Sequence, residues 1–129
     1  MLCGLLPFAP IMPVYADMGK VGQFQTISVG SFHSLTVRED GGLWAWGANN
    51  HGELGDGTTV AKSLPVWITD GVAAVSAGRN HTMAIKTDGS LWAWGRNNGG
   101  QLGDGTGYYR ITYKSDRGRG AVATSRRAA

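Results

Sequence analysis

A duplicated stretch of 32 residues is the feature that most constrains this chain. Residues 27–58 align with residues 75–106 at a constant offset of 48, and 18 of the 32 aligned positions are identical. A fixed period of this length is typical of proteins in which one small unit is repeated and stacked on its own copies. The sequence therefore predicts one structural unit present twice, over about residues 24–71 and 72–106.

Each copy has the pattern of short β-strands joined by tight turns. Leu35 and Val37 alternate with polar residues, and Asp40-Gly41 follows, a pair that favours a hairpin by supplying positive φ angles. Glycine makes up 21 of the 129 residues, more than twice the roughly 7% average. Leu64–Ile68 reads as a fourth strand that Pro65 restricts to a sheet edge. We therefore expect an all-β fold of antiparallel, four-stranded units.

The residues shared by the two copies form a motif. They are Gly30/Gly78, His33/His81, Asp40-Gly41/Asp88-Gly89, the Leu-Trp-Ala-Trp-Gly segments that start at Leu43 and Leu91, and the Leu-Gly-Asp-Gly-Thr segments that start at Leu54 and Leu102. This motif closely resembles the repeat of the regulator of chromosome condensation family. The resemblance implies that each copy is a four-stranded blade and that about seven blades close into a β-propeller. With two repeats, we interpret the chain as a fragment of such a ring.

The two ends of the chain differ from the repeats. Residues 1–16 are apolar and uncharged, and Val14-Tyr15-Ala16 resembles an export cleavage site, so we interpret them as a truncated signal peptide of an extracytoplasmic or secreted protein. The alternative is that Pro13-Val14-Tyr15 is the edge strand of a preceding repeat and that the protein is cytoplasmic. The prolines and the short apolar run argue against a membrane span.

Residues 107–129 carry six basic residues and one acidic residue, whereas residues 1–106 carry six and eight. The tail is predicted to be a disordered, solvated coil. Because its charge of +5 outweighs a charge of −2 on the rest, the basic isoelectric point does not indicate nucleic-acid binding by the repeats. The single Cys3 excludes a disulfide framework within the chain.

Residues that could perform chemistry recur as part of the repeat. His33 and His81 occupy the same place in each copy, which favours a hydrogen-bonding role in the blade over catalysis. Asp56 and Asp104 lie in Gly-Asp-Gly-Thr segments that match neither the calcium loop nor the phosphate loop, so turn formation explains them. We therefore expect no enzyme, no metal and no cofactor.

Candidate binding residues lie where the two copies differ, in turns and loops that a rigid β scaffold presents. The candidates are Phe32, Arg79, Asn80, Arg96, His51 and Glu53. The alternative is that these positions vary without any function, as loop positions commonly do.

These residues favour an interaction module that binds an unidentified protein through its loops. The resemblance also permits an alternative, guanine-nucleotide exchange on a small GTPase, because the family namesake promotes exchange on Ran and docks on chromatin. Exchange would require an inserted wedge, and the sequence has none between Gly30 and Thr106. The family includes secreted bacterial inhibitors of β-lactamases as well. Because two blades leave edges and apolar faces uncovered, we also expect self-association through open blade edges.

Overall fold

The computed structural model describes residues 24–111, which form seven strands in two antiparallel sheets and contain no helix. The first sheet, blade 1, has the strand order β1-β2-β3-β4, and the second, blade 2, has the order β5-β6-β7. The strands are β1 (Phe24–Val29), β2 (His33–Arg38), β3 (Leu43–Gly47), β4 (Lys62–Thr69), β5 (Val72–Ala77), β6 (His81–Lys86) and β7 (Leu91–Gly95). The all-β prediction is confirmed.

The turn between β2 and β3 shows why Asp-Gly recurs. Gly41 has a φ of +83°, and its N–H donates to the Arg38 carbonyl at 2.9 Å, while Asp40 Oδ1 accepts from the Gly42 N–H at 2.9 Å. Within residues 24–111 only glycines have positive φ, so Asp40 contributes its carboxylate and Gly41 the left-handed conformation. The β6–β7 turn repeats this arrangement at Gly89, which has a φ of +84°.

The two blades stack face to face, and the core lies between them. Blade 1 contributes the fully buried Leu35, Val37, Leu43 and Ala45. Blade 2 contributes Val75, Ala77, Ala84, Trp92 and Trp94. Alternation in each strand directs one set of side chains into this interface, and burial of each large apolar side chain contributes about 1.5–3 kcal/mol.

Strand pairing confirms that the blades are one unit used twice. His33 pairs with Gly47 and Ser34 with Trp46 in blade 1, and the pairs His81 with Gly95 and Thr82 with Trp94 recur in blade 2. Residues that are 48 positions apart in the sequence therefore occupy equivalent positions in the two blades.

Blade 2 differs from the predicted four strands because three are assigned within the described residues. A bridge between Gly95 and Arg110 nevertheless matches the pairing of Gly47 with Lys62, which opens β4. The described residues end at 111, one position after the counterpart of the first β4 residue. The bridge thus lies at the position where β4 begins in blade 1.

The predicted solvated coil from residue 107 onward is wrong for Arg110 and Ile111, both of which are buried. The Ile111 carbonyl accepts a hydrogen bond from the Gly57 N–H at 3.0 Å, which joins this segment to the long loop of blade 1. Residues 112–129 and the predicted signal peptide, residues 1–16, lie outside the described residues. Within residues 24–111, no helix is long and apolar enough to cross a membrane.

Candidate functional site

Turns and loops from both blades gather at one end of the molecule, which we call the loop end. In blade 1 the β1–β2 turn meets the start of the β3–β4 loop, since the Ala48 N–H donates to the Phe32 carbonyl at 2.8 Å. Blade 2 repeats the contact between the Arg96 N–H and the Asn80 carbonyl at 2.8 Å. The predicted binding residues of both blades therefore share the loop end.

Three of the candidates present side chains to solvent at the loop end. Phe32 is 68% exposed although it is a large aromatic residue, and Arg79 is exposed in the equivalent region of the next blade. Arg96 is half-buried, and its Nε donates to Asn98 Oδ1 at 2.7 Å, which ties the guanidinium to the following loop. His51 and Asn80 are also half-buried there.

Glu53 does not present its side chain as predicted, because it is only 1% exposed. Its Oε2 accepts from the His51 N–H at 2.6 Å, and its Oε1 accepts from Asn80 Nδ2 at 3.4 Å. In the second copy, Gln101 Oε1 accepts from the Gly99 N–H at 2.9 Å in the same manner. The Glu/Gln difference between the copies therefore preserves an acceptor inside the loop.

The backbone carbonyl of Glu53 joins the two blades. It accepts from Thr82 Oγ1 at 2.8 Å and from Trp94 Nε1 at 2.9 Å, and both donors belong to blade 2 and are fully buried. We define this arrangement as the carbonyl joint. It fixes the loop of blade 1 to the neighbouring blade.

His33 extends the same network. Thr82 uses its hydroxyl proton toward Glu53, so the Thr82 oxygen accepts from His33 Nε2–H at 3.0 Å. Burial lowers the pKa of His33, the Glu53 carboxylate partly offsets this, and His81 lowers it further. His33 is therefore neutral near pH 7 with its proton on Nε2, and the predicted hydrogen-bonding role is confirmed for it.

Two buried asparagines that the sequence reasoning missed organise the loops internally. Asn49 Nδ2 donates to Asp56 Oδ1 at 3.1 Å and to the Thr58 and Val60 carbonyls at 3.0 and 3.1 Å, and its Oδ1 accepts from the Leu54 N–H at 2.9 Å. In blade 2, Asn97 repeats the contacts with Asp104, Thr106 and Leu102. The available signal was that both asparagines are identical in the two copies.

An ion pair closes each loop. Lys62 Nζ lies 3.2 Å from Asp56 Oδ2, and Arg110 pairs with Asp104 at the equivalent place in blade 2. Burial acts to raise the pKa of Asp56, but hydrogen bonds from Thr58, Lys62 and Asn49 outweigh it and hold the pKa below its ordinary value.

The same balance applies to Asp104, where burial is outweighed by hydrogen bonds from Thr106, Arg110 and Asn97, so its pKa is also lowered. Arg110 stands 48 residues after Lys62, and this spacing could have predicted its equivalent role. The basic composition of the tail hid this correspondence.

The exposed charge of the loop end is positive. Among residues 24–111, Asp56 and Asp104 are paired with cations and Glu53 is buried, which leaves Arg79 and Arg96 as the cations that set the potential of this end. Within residues 24–111, no group of three or more His, Cys, Asp or Glu side chains is placed to hold a metal ion.

The chain matches models of a known protein family. Two models of the regulator of chromosome condensation (RCC1) repeat match the chain, one over residues 40–85 and one over residues 24–53 and 72–101. The latter two segments begin with β1 and β5, the first strands of the two blades. The chain belongs to the RCC1 repeat family, as its motif predicted.

Individual relatives match over part of their length. The E3 ubiquitin-protein ligase HERC2 of Homo sapiens and that of Mus musculus are each 40% identical over 42 residues, which is 33% of this chain and 1% of the relative. The chain thus spans a very small part of these curated relatives.

Solved structures show the fold. Human WBSCR16 matches with a TM-score of 0.68 at 24% identity, covering 74% of this chain and 26% of that protein. Yeast RCC1 (Prp20), solved with Kap60 bound, matches with a TM-score of 0.69 at 22% identity, covering 77% and 26%. Because the RCC1 structures that match this chain are β-propellers, its two sheets are propeller blades. The chain spans about a quarter of each matched protein.

Proposed function

We propose that this chain is a non-catalytic interaction module that binds a protein through its loop end. The observation that carries the proposal is the exposed Phe32, 68% accessible, in a turn equivalent to the one that presents Arg79. Arg96 lies next to the Arg79 turn, because its N–H donates to the Asn80 carbonyl at 2.8 Å. Aromatic and arginine side chains supply a large share of binding energy in protein interfaces. The partner surface would therefore present carboxylates around an apolar contact.

The rigidity of the loops supports the same proposal. Asn49 and Asn97 each hold a loop from within by several hydrogen bonds, and the carbonyl joint ties the first loop to blade 2. A surface that is ordered before binding loses less conformational entropy when a partner docks. Yeast RCC1 (Prp20), a protein with this fold, also has a protein partner, since it was solved with Kap60 bound.

The test compares two sets of variants in quantitative capture from a cell extract. The loop-end variant is Phe32→Ala/Arg79→Ala/Arg96→Ala. The matched control is Glu39→Ala/Thr87→Ala, which changes exposed residues at the opposite end of the blades. A true partner should be captured by the wild-type chain and by the control but lost from the loop-end variant. Circular dichroism would confirm that all three chains are folded.

Affinity for a captured partner then gives the magnitude. If Phe32 is a central contact, Phe32→Ala should weaken binding by about 30-fold, which corresponds to about 2 kcal/mol. Partners that bind the loop-end variant and the control equally would show that the loop end is not the binding surface. Faster GDP release from a small GTPase in the presence of the chain would instead support the alternative hypothesis of nucleotide exchange.

A further inference from the structure

Each blade has a second face that the other described residues leave open. On blade 2 this face forms an apolar groove of about 240 Å³ that includes Met83, Ile85 and Leu91. Ile85 and Leu91 are 47% and 51% exposed. On blade 1 the open face carries Ile27 and Val29, which are 63% and 67% exposed. Large apolar side chains at this exposure mark a surface suited to a further contact.

The open face of blade 2 repeats the face that blade 1 buries. At an offset of 48, Met83, Ile85 and Leu91 of blade 2 are the counterparts of Leu35, Val37 and Leu43, which are fully buried in blade 1. The open face of blade 1 is likewise the counterpart of the face that blade 2 buries, because Ile27 and Val29 correspond to Val75 and Ala77, which pack against the core. The two open faces are therefore the two halves of an interface that this chain already forms once.

The polar contacts of that interface also have counterparts on the open faces. Within the chain, the Ala77 N–H donates to Ser28 Oγ at 2.9 Å. The corresponding groups are the Val29 N–H, on the open side of blade 1, and the Ser76 hydroxyl, which lines the groove of blade 2.

The histidine contact has a counterpart as well. His33 Nε2 donates to Thr82 Oγ1, and the corresponding residues are His81 and Ser34. Replacement of threonine by serine retains the hydroxyl group that both accepts from the histidine and donates to a carbonyl. The carbonyl that corresponds to that of Glu53 is the one of Gln101.

Two equivalent glycines indicate where an additional side chain would fit. A Cβ on Gly55 would lie 2.7 Å from Trp94 Nε1, because the indole of blade 2 packs directly on this glycine. A Cβ on the equivalent Gly103 would meet nothing within 4 Å. The residue equivalent to Trp94 is Trp46 of blade 1, so the space beside Gly103 suits the indole of Trp46 from another copy.

We propose that a second copy of this chain docks head to tail, with the open face of its blade 1 on the open face of blade 2. The contact is made by blade faces, whereas the sequence predicted self-association through open blade edges. Such an interface is heterologous, since each copy uses a different surface, and it closes into a ring when the rotation allows. About three or four copies would give about six or eight blades, within the range of known propellers.

The test blocks each face separately. The variant Ile85→Asp/Leu91→Asp places charges in the groove of blade 2, and Ile27→Asp/Val29→Asp places them on the open face of blade 1. The control Val60→Asp adds a charge at an exposed residue of the β3–β4 loop, outside the strands that form the two open faces. Sedimentation velocity would give the masses, and circular dichroism would verify folding.

The wild-type chain and the control are expected to form oligomers, whereas each face variant alone should remain a monomer of 13.6 kDa. An equimolar mixture of the two face variants should form a heterodimer and nothing larger, because each copy retains one usable face. This complementation is specific to a head-to-tail contact. As a milder second variant, Ser76→Arg changes one exposed residue of the groove and should also prevent assembly.

Two results would overturn the proposal. One is a wild-type chain that stays monomeric up to millimolar concentration, and the other is a face variant that dimerises by itself, which would indicate a two-fold contact. The outcome is independent of the proposed function, since the loop-end variant Phe32→Ala/Arg79→Ala/Arg96→Ala should assemble like the wild-type chain.

Discussion

Substitution of Gly55 by alanine probes the packing between the blades. Gly55 has a φ of +78°, and the new Cβ would lie 2.7 Å from Trp94 Nε1 and 2.9 Å from Cε2. The indole cannot yield easily because Trp94 is fully buried and donates to the carbonyl joint at 2.9 Å. Left-handed strain costs about 1–2 kcal/mol for a residue other than glycine, and overpacking adds about 1–3 kcal/mol. We expect Gly55→Ala to lower the free energy of unfolding by about 2–5 kcal/mol in total.

Gly103→Ala is the matched control, because Gly103 has a similar φ of +69° but nothing within 4 Å of the new Cβ. Its free energy of unfolding should fall only by the cost of the left-handed backbone strain, about 1–2 kcal/mol. Urea unfolding followed by tryptophan fluorescence would measure both, in the Ile85→Asp/Leu91→Asp background so that no second copy reaches Gly103. Equal losses for the two variants would refute the idea that close packing of Trp94 on Gly55 distinguishes these sites.

Three further predictions concern the loop network and its neighbours. Asn49→Ala should lower the free energy of unfolding by about 3 kcal/mol because it leaves buried groups unpaired, whereas the exposed Asn50→Ala should change it little, as urea unfolding can show. Burial lowers the pKa of His33 below 6.5, so the unfolded chain binds the proton more readily than the folded chain. The free energy of unfolding should therefore fall as the pH drops through about 6.5 and below. Urea midpoints measured between about pH 8 and about pH 5 should show this decrease, which should vanish in a folded His33→Gln variant. Arg110→Met should raise the pKa of Asp104 toward its ordinary value, visible in a carboxyl NMR titration, and an unchanged pKa would contradict the ion pair.

The repeat made the fold predictable from sequence. The constant offset, the alternation around Leu35 and Val37, and the Asp40-Gly41 turn are local patterns, and each predicts its element without knowledge of the rest of the molecule. Turn residues such as Phe32 and Arg79 were assigned to the surface on the same basis. Their position at one common end was not predicted and is shown by the contacts between these turns and the following loops.

Contacts between different parts of the chain were not predictable in the same way. Glu53 was expected at the binding surface because it lies in a loop position where the two copies differ, but its burial depends on the His51 N–H and on Asn80 from the other blade. The partner of His33 is Thr82, 49 positions away, and strand alternation alone does not reveal how two faces stack. Arg110 was hidden by the composition of the residues that follow it.

The carbonyl joint has a consequence for how such chains lengthen during evolution. The group of blade 1 that accepts from Thr82 and Trp94 is the main-chain oxygen of Glu53, an atom that every amino acid possesses. A blade duplicated within a gene can therefore join its neighbour without a compensating substitution at position 53 or its equivalent, provided that the donor residues are copied with it. Tandem duplication then yields a complete joint at once, while the exposed loop residues are free to diverge.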